Sequence, residues 1–270
     1  MCRWLAYSGS PIFLSRLLFE PEHSLIVQSL NARQSVFPTN GDGFGVGWYG
    51  SRHEPGLFRD VLPAWNDDNL QSLAEQIESH LFLAHVRAST GTATARANCH
   101  PFRWGEWLFM HNGNIGGYER IRRELDLLIE PQFYAHRRGT TDSEAMFYLA
   151  LTYGLENDVP GAMARTVAAI ESLMAEKGVS EPLRVSVVVS DARKLWALRY
   201  ASDAVPPTMY IGRASAALHY AGLEGGGNDV LVMSEPLDDM DENWQLVESA
   251  SMVTVDEGDV VSSPFAPVSA

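Results

Sequence analysis

The chain has 270 residues, of which 46% are hydrophobic and 20% charged, so it can bury a sizeable core as an ordinary globular protein. Its formal charge of −14 argues against nucleic acid or an anionic membrane as partner, because both are recognised by clustered Lys and Arg. A small-molecule substrate is therefore the default expectation. No stretch approaches the roughly 20 apolar residues of a membrane span, and the start lacks a leader pattern. The only cysteines, Cys2 and Cys99, fit a reducing cytoplasm.

Cysteine occupies position 2, directly after the initiator methionine. Removal of that methionine would leave a thiol and a free α-amine on one residue. The thiol titrates near roughly 8.5 and the amine near roughly 7.7 to 8.0, so around neutral pH the amine can accept the proton of the thiol. One residue then supplies both nucleophile and general base, as in a threonine activated by its own N-terminal amine. The alternative is that Cys2 is simply the first apolar residue of a strand.

The first elements predicted are a strand over 2–8, a turn over 9–11 and short apolar-faced helices over 12–18 and 25–33. Glycine then occupies every second position from Gly41 to Gly47, in a strand predicted over 41–49, so one face of that strand carries no side chains. Glycine inside a strand indicates that another backbone or a ligand comes close. A dinucleotide-binding fingerprint is the competing interpretation, but the GxGxxG spacing and the following helix are both missing.

A helical pattern over 68–79 leads into a strand over 81–87 that ends in Arg87. An arginine at a strand end is usually a surface residue. Here the small residues over 88–91 turn it toward a loop, in a setting suited to holding a carboxylate bidentately.

A strand predicted over 104–110 is followed by His111, Asn112 and Gly113. An Asn-Gly pair after a strand is typical of a hairpin turn. The same pair also offers a side-chain amide and an unshielded backbone N–H, which is the composition of an oxyanion hole. The residues alone leave both interpretations open.

Two long helices are predicted over 117–129 and 159–177, with a capped helix start over 140–146 between them. Thr141 or Asp142 would be the N-cap, and for Asp142 a capping role and a ligand-binding role are both open. Short strands at hairpin spacing follow over 184–190, 195–199, 209–212, 230–233 and 251–255. We expect a mobile loop at Gly225-Gly226-Gly227.

Strands, central helices and strands again predict an α+β layered architecture rather than a doubly wound one. The sequence shows neither a linker nor an internal repeat, so we expect one domain over 2–261 and a flexible tail over 262–270. Two cysteines are too few for a thiolate metal site. We expect no metal and no cofactor.

The motifs above occur in the order and spacing of the class II glutamine amidotransferases, which the sequence strongly resembles. The resemblance implies the fold of the N-terminal-nucleophile (Ntn) hydrolases, a four-layer αββα sandwich of two antiparallel sheets with the active site at the open edge between them. Within the family the chain is most similar to small stand-alone members, which include γ-glutamyl amidases of glutathione and ergothioneine metabolism. The motifs are Cys2, the strand 41–49, Arg87, Asn98-x-His100-Pro101-Phe102, His111-Asn112-Gly113 and Thr141-Asp142-Ser143-Glu144.

The resemblance implies that Cys2 attacks the γ-amide of glutamine or a γ-glutamyl compound, forming a γ-glutamyl thioester that water hydrolyses. Asn112 through its side-chain N–H and Gly113 through its backbone N–H would hold the oxyanion. Arg87 would bind the α-carboxylate and Asp142 the α-ammonium, because a zwitterionic amino acid needs one fixed cation and one fixed anion. The further candidates for substrate binding are Thr90 and His111.

Two positions limit what the resemblance implies. Arg87 is followed by Ala88-Ser89, where the hexosamine-synthase type of the family has Trp and Ala, so the lid and tunnel contacts of those enzymes are not expected. Cys99 stands beside His100, but adjacent residues in a strand point to opposite faces. The resemblance places this segment as scaffold, and we do not expect Cys99 to be catalytic.

Three functions remain open: an independent amidohydrolase, a glutaminase subunit that delivers ammonia to a separate synthase, and a non-catalytic γ-glutamyl sensor. The presence of all the motif residues together argues against the sensor. The residues after Asp142 are about enough to finish one sandwich, so we favour independent hydrolysis. A synthase or a second copy of this chain are the partners left open.

Overall fold

The computed structural model describes residues 2–34, 39–89, 91–214 and 228–268. Strands within these ranges are β1 (Arg3–Phe13), β2 (Phe44–Trp48), β3 (Gly56–Asp60), β4 (Glu78–Val86), β5 (Phe102–Trp104), β6 (Trp107–Ile115), β7 (Leu183–Ser190), β8 (Lys194–Ala201), β9 (Tyr210–Arg213), β10 (Val230–Met233), β11 (Trp244–Leu246), β12 (Ser251–Asp256) and β13 (Asp259–Pro264). The α-helices are α1 (Ser15–Leu18), α2 (Leu25–Leu30), α3 (Asp68–Ala74), α4 (Tyr118–Leu128), α5 (Pro131–Tyr134), α6 (Asp142–Thr152) and α7 (Val159–Glu176). No helix in the described ranges has the length and apolar character needed to cross a membrane.

In the described part of the chain the strands form two antiparallel sheets. The first sheet has the order β11-β9-β10-β1-β4-β2-β3, and the second has the order β13-β12-β8-β7-β6-β5. β1 pairs with β10 on one side and β4 on the other, so the strand that follows Cys2 lies inside its sheet. β6 is likewise paired on both sides, with β5 and β7.

Alternating side chains of β1 show how the layers are built. Leu5 and Tyr7 pack with α1, α2 and α3. Trp4 and Ala6 point the other way and pack against residues of the second sheet. The far face of the second sheet packs against α4, α6 and α7. Since a sheet with one helix-covered face and one sheet-covered face buries both sides, the result is the expected four-layer αββα sandwich.

The alternating glycines of β2 mark a close approach between backbones, as predicted. A Cβ on Gly45 would overlap the carbonyl oxygen of His100, and one on Gly47 would lie 2.8 Å from Leu108 Cδ1. Phe44 and Val46 on the opposite face are buried in the helix-side core. The face of β2 without side chains therefore lets two parts of the chain approach the first sheet: the second sheet, and the segment at His100 that leads into β5.

Two predicted turns are strands in the structure. The turn expected over 9–11 is replaced by a continuous β1, whose pairing with β4 shifts register between Ser8 and Ile12. Asn112 and Gly113 are not at a hairpin turn, because both lie within β6 and pair with β7. The hairpin interpretation of Asn-Gly is therefore wrong.

At the C-terminus, residues 262–264 belong to β13 and pair with β12, so the flexible tail predicted from 262 is wrong at its start. Phe265 beyond the strand is buried, which extends the ordered region further. The mobile loop predicted at Gly225-Gly226-Gly227 lies outside the described residues.

Candidate active site

A cavity of about 710 Å³ opens at one edge of the sandwich, where β1 begins, β4 ends and α6 starts. It gathers side chains from both sheets and from the helix layer beyond the second sheet. Thr90 lies outside the described residues. The other residues predicted for the site all line this cavity: Cys2, Arg87, His111, Asn112, Gly113 and Asp142.

The Cys2 thiol is half-buried and lies against the residue that follows Arg87. Its Sγ accepts a hydrogen bond from the N–H of Ala88 at 3.4 Å and is 3.6 Å from the carbonyl oxygen of Ala88. Burial raises the pKa of the Cys2 thiol, whereas the hydrogen bond to Ala88 and the charges of Arg87 and Arg3 lower it. Because burial dominates, the thiol needs a nearby base to ionise near neutral pH.

Asn112 and Gly113 are consecutive residues of β6 at the cavity wall. Asn112 is 2% exposed, and its Nδ2 has no hydrogen-bond partner among the residues that the structure describes. A buried donor without a partner is costly, so this N–H is available to a ligand. Gly113 has φ +149° and a Cβ there would overlap the carbonyl oxygen of Arg184, so glycine is required. Both candidate oxyanion donors are thus in the cavity that holds Cys2.

Arg87 is a buried cation held by neutral groups. It is 3% exposed, and its guanidinium donates to the carbonyl oxygen of Asp42 at 3.2 Å, to Ser89 Oγ at 3.2 Å and to Thr92 Oγ1 at 2.5 Å. Asp42 in turn accepts the N–H of Ser89 at 2.7 Å, which fixes the loop after β4. Within the described residues Arg87 has no ion-pair partner, so its charge is left for an anion in the cavity.

Asp142 is the first residue of α6 and not its cap. Thr141 is the N-cap and accepts the N–H of Glu144 through its hydroxyl. The Asp142 carboxylate accepts the N–H of Ile115 at 2.9 Å and that of Ser143 at 2.8 Å. No Lys, Arg or His side chain of the described ranges forms an ion pair with it. An anion without a counter-charge therefore faces the same cavity as the Arg87 cation.

His111 connects β6 to its neighbours. Its Nδ1 is 2.8 Å from Ser143 Oγ and its Nε2 is 3.3 Å from the carbonyl oxygen of Arg184. Because a carbonyl oxygen only accepts, the contact with Arg184 places the hydrogen on Nε2. The Ser143 hydroxyl lies within hydrogen-bond distance of both His111 Nδ1 and Asp142 Oδ1, at 2.8 and 3.3 Å. Burial lowers the pKa of His111 although the Asp142 charge raises it, so the ring is neutral. Its contacts brace β6 against β7 and α6, and a direct contact with substrate stays a prediction.

The family model described as class-II glutamine amidotransferases matches residues 18–269 of the chain. The chain belongs to this family. The expectation drawn from the six motifs is thereby confirmed.

Two sequence relatives and one solved structure match almost the whole of this chain. It is 32% identical over 301 residues to the probable glutamine amidotransferase DUG3 of Saccharomyces cerevisiae, covering 98% of this chain and 84% of that protein. It is 27% identical over 268 residues to the gamma-glutamyl-hercynylcysteine sulfoxide hydrolase of Mycolicibacterium smegmatis, covering 98% and 100%. A glutamine aminotransferase class-II domain protein from Silicibacter pomeroyi has a TM-score of 0.77 at 37% identity, covering 99% and 100%.

These relatives confirm the fold and the class of protein. The expected Ntn-type sandwich is the fold of a solved relative at 37% identity. The chain is an enzyme of the amidohydrolase type, since its family is that of the class-II glutamine amidotransferases and its relatives are named a probable glutamine amidotransferase and a gamma-glutamyl hydrolase.

Three hydroxyl side chains make contacts at the amidotransferase cavity that the sequence did not predict. Ser89 and Thr92 hold the guanidinium of Arg87, and Ser143 Oγ lies 2.8 Å from His111 Nδ1 and 3.3 Å from Asp142 Oδ1. Ser89 and Thr92 follow Arg87 closely and Ser143 follows Asp142 directly. The sequence does show small hydroxyl residues next to each predicted charged residue. Hydroxyl residues are common in loops, however, and which groups they contact is decided only by the folded structure.

In the segment from Asn98 to Phe102, His100 lines the cavity and Cys99 does not. Cys99 is fully buried, with its Sγ 3.3 Å from the carbonyl oxygen of Asp60, and it does not line the cavity. His100 does line it and packs against His85, with ring centroids 4.3 Å apart and the ring planes tilted by 39°. Burial lowers the pKa of His85 to about 3 and that of His100 well below its ordinary value. Both rings are neutral and add no charge to the amidotransferase cavity.

Proposed function

We propose that the chain hydrolyses the γ-amide bond of glutamine or of a γ-glutamyl compound, with Cys2 as the nucleophile. The observation that carries this proposal is that Arg87 and Asp142, a cation and an anion without ion-pair partners in the described residues, line the cavity that holds the Cys2 thiol. A γ-glutamyl compound brings an α-carboxylate for the cation and an α-ammonium for the anion. Its amide carbon is then left for the thiol.

The reaction follows from these positions. With Met1 removed, the α-amine of Cys2 accepts the thiol proton, and sulfur attacks the γ-carbonyl carbon. Asn112 Nδ2 and the N–H of Gly113 stabilise the resulting oxyanion. Collapse of this intermediate breaks the C–N bond, the leaving amine takes the proton from the α-ammonium, and a γ-glutamyl thioester remains. Water then attacks the thioester, giving its proton to the α-amine, and the release of glutamate restores the thiol.

The size of the cavity supports a substrate larger than glutamine. Its volume of about 710 Å³ lies within the roughly 300–1,000 Å³ typical of pockets for drug-sized ligands. The Mycolicibacterium smegmatis relative is named for the hydrolysis of such a larger γ-glutamyl compound. We therefore propose γ-glutamyl peptides or thiol conjugates as the substrate class, with Thr90 and His111 as further substrate-binding residues.

A glutaminase subunit that passes ammonia to a separate synthase is the second candidate, because the yeast relative is named an amidotransferase rather than a hydrolase. Both candidates use the same cavity and the same first half-reaction. They differ in whether the isolated chain, without a partner, hydrolyses its substrate at a steady rate.

Steady-state release of glutamate and amine by the isolated protein separates the two candidates. We expect glutamate and amine in equal amounts, with faster release from γ-glutamyl peptides or thiol conjugates than from glutamine. Cys2→Ala should release nothing, and Cys99→Ala should keep its activity, because Cys99 lies outside the cavity. Negligible turnover of every substrate, restored by a synthase that co-purifies with the chain, would show instead that the protein is an ammonia-delivering subunit.

A further inference from the structure

Cys2 precedes β1, at the end of a chain segment that frays unless it is tied down. The two residues after it are tied to the segment that follows β10. The N–H of Trp4 donates to Ser234 Oγ at 3.0 Å, and the N–H of Ser234 donates back to the carbonyl oxygen of Trp4 at 3.0 Å. Arg3 is tied by charge to the next residue, since its Nε is 3.5 Å from Glu235 Oε2.

Glu235 is the centre of a buried polar network on the helix side of the first sheet. Its Oε1 is 2.6 Å from His23 Nε2 and accepts the N–H of Arg33 at 2.8 Å, while its Oε2 accepts the N–H of Gln34 at 3.0 Å. Arg3 Nη2 donates to the carbonyl oxygen of Gln34 at 3.0 Å. The ion pair thus joins the start of β1, the end of β10 and the loop after α2.

Both members of this pair are almost completely inaccessible, with Arg3 0% and Glu235 1% exposed. Burial alone raises the pKa of Glu235, but hydrogen bonds from His23, Arg33 and Gln34 and the charge of Arg3 bring it below its ordinary value. The carboxylate is therefore ionised at neutral pH. Burial lowers the pKa of Arg3 and the charge of Glu235 raises it.

A buried ion pair is a poor device for stability alone, because apolar side chains of similar volume often stabilise a fold as well or better. This pair has instead a location that matters for chemistry. Arg3 is the residue next to the thiol, and its charge is one of those that favour the thiolate of Cys2. Its partner Glu235 comes from 232 positions further along the chain, so the contact forms only in the complete fold.

We propose that Arg3 and Glu235 are positioning residues for Cys2, holding the start of β1 so that the thiol stays against Ala88 in the cavity that Asn112 also lines. This role rests on Cys2 being the nucleophile of the proposed function. Arg3 additionally supplies positive charge beside the thiol, and Glu235 sets how much of that charge the thiol experiences.

The test compares Arg3→Met, Glu235→Gln, the double variant and Arg3→Lys with the wild-type protein. Ile170→Ala is the matched control, because Ile170 is fully buried in α7 beyond the second sheet and its truncation destabilises the fold away from Cys2. Two quantities are measured: the pH dependence of Cys2 alkylation by iodoacetamide, from the mass of the N-terminal peptide, and kcat and KM on a γ-glutamyl substrate.

Arg3→Met should raise the midpoint of the alkylation profile by roughly 0.5 to 1 pH unit, because a nearby cation favours the thiolate. Its kcat should fall about 10- to 100-fold with little change in KM, as for a misplaced reacting group. Glu235→Gln should lower kcat as well but shift the alkylation midpoint downward, because the charge of Arg3 is no longer compensated. The double variant should have the midpoint of Arg3→Met, and Arg3→Lys should stay near wild type.

Wild-type kcat and an unshifted alkylation profile in folded Arg3→Met would overturn the proposal. The same kcat loss in Ile170→Ala would also overturn it, since general destabilisation would then explain the effect. If Arg3→Met fails to fold, the opposite signs expected for Glu235→Gln and the double variant provide the same test. Alkylation needs no substrate, so a wild-type protein inactive on every γ-glutamyl compound would contradict the proposed function and leave this test intact.

Discussion

An ionised side chain that is removed from water, fully as for Arg87 or partly as for Asp142, is costly unless an opposite charge compensates for it. Arg87 and Asp142 are held, within the described residues, by carbonyl oxygens, hydroxyls and backbone N–H groups and by no opposite charge. Neutral hydrogen bonds fix the direction of each charge without neutralising it. We therefore propose that a zwitterionic ligand completes these two charges, and we expect each residue to contribute to binding more than to chemistry.

Asp142→Asn tests the proposed contact between Asp142 and the α-ammonium of the substrate. The amide keeps an acceptor for one backbone N–H but loses the charge, so KM for substrates with a free α-amine should rise about 10- to 100-fold, the loss of one charge-assisted hydrogen bond. KM for an analogue without the α-amine should stay unchanged. Steady-state kinetics on both substrates measure the difference, with Asp256→Asn, paired to Lys194 away from the cavity, as control. Equal losses on both substrates would rule out an ammonium contact.

Asn112→Ala tests the oxyanion hole. Removal of one preorganised donor should lower kcat about 10²- to 10³-fold with little change in KM, since the donor acts mainly in the transition state. Asn66→Ala, an exposed asparagine in the first half of the chain, is the control. Glutamate release and thermal unfolding are measured for both variants. A loss confined to KM would assign Asn112 to ground-state binding.

At the scale of elements, β2 shows how a strand without side chains on one face lets two layers meet. Gly45→Ala places a methyl group against the carbonyl oxygen of His100, which is backbone and cannot rotate away. We expect a loss of about 1–3 kcal/mol in the free energy of unfolding, as for overpacked cores. Gly50→Ala is the matched control, because a Cβ at Gly50 meets no atom within 4 Å. Urea denaturation of both variants gives the comparison, and equal stabilities would contradict the close approach.

The same element shows what the sequence could predict. Alternation of glycine with apolar residues is a local pattern, so the strand and the close approach at its bare face followed from the residues alone. Asn112-Gly113 was ambiguous, because its conformation depends on β7, which arrives about 70 positions later and pairs with both residues. Gly113 lies inside a strand with φ +149°. Nothing in the neighbouring sequence distinguishes such a glycine from the glycine of an Asn-Gly hairpin turn.

Edge elements were missed for a related reason. β13 is exposed along its whole length, so it has no apolar alternation to reveal it, and only its pairing with β12 makes it a strand. The residue types of the candidate site were predictable from spacing and family resemblance. That Arg87 and Asp142 have no ion-pair partner in the described part of the chain was not predictable, because it depends on what the whole fold brings near each charge.

Across the whole molecule, Glu235 couples the start of β1 to the segment after β10, which are neighbours in the first sheet but far apart in the chain. Its pKa lies below the ordinary 4.5, because hydrogen bonds from His23, Arg33 and Gln34 and the charge of Arg3 outweigh burial. A lowered folded pKa contributes stability that is present above the unfolded value and lost as pH falls through the folded one. The stability difference between wild type and Glu235→Gln should therefore be constant near neutral pH and shrink below about pH 4.5. Urea denaturation at a series of pH values measures it, and a difference that grows in acid would contradict the assignment.

The proposed function requires that Cys2, in a chain that has lost Met1, carries the γ-glutamyl group. Its most direct test is intact mass and peptide mapping of the protein quenched in acid during turnover of a γ-glutamyl substrate. We expect a γ-glutamyl adduct on a peptide that begins at Cys2, with Met1 absent, and no adduct on Cys99 or in Cys2→Ala. Full activity in protein that retains Met1, or undiminished glutamate release by Cys2→Ala, would contradict it.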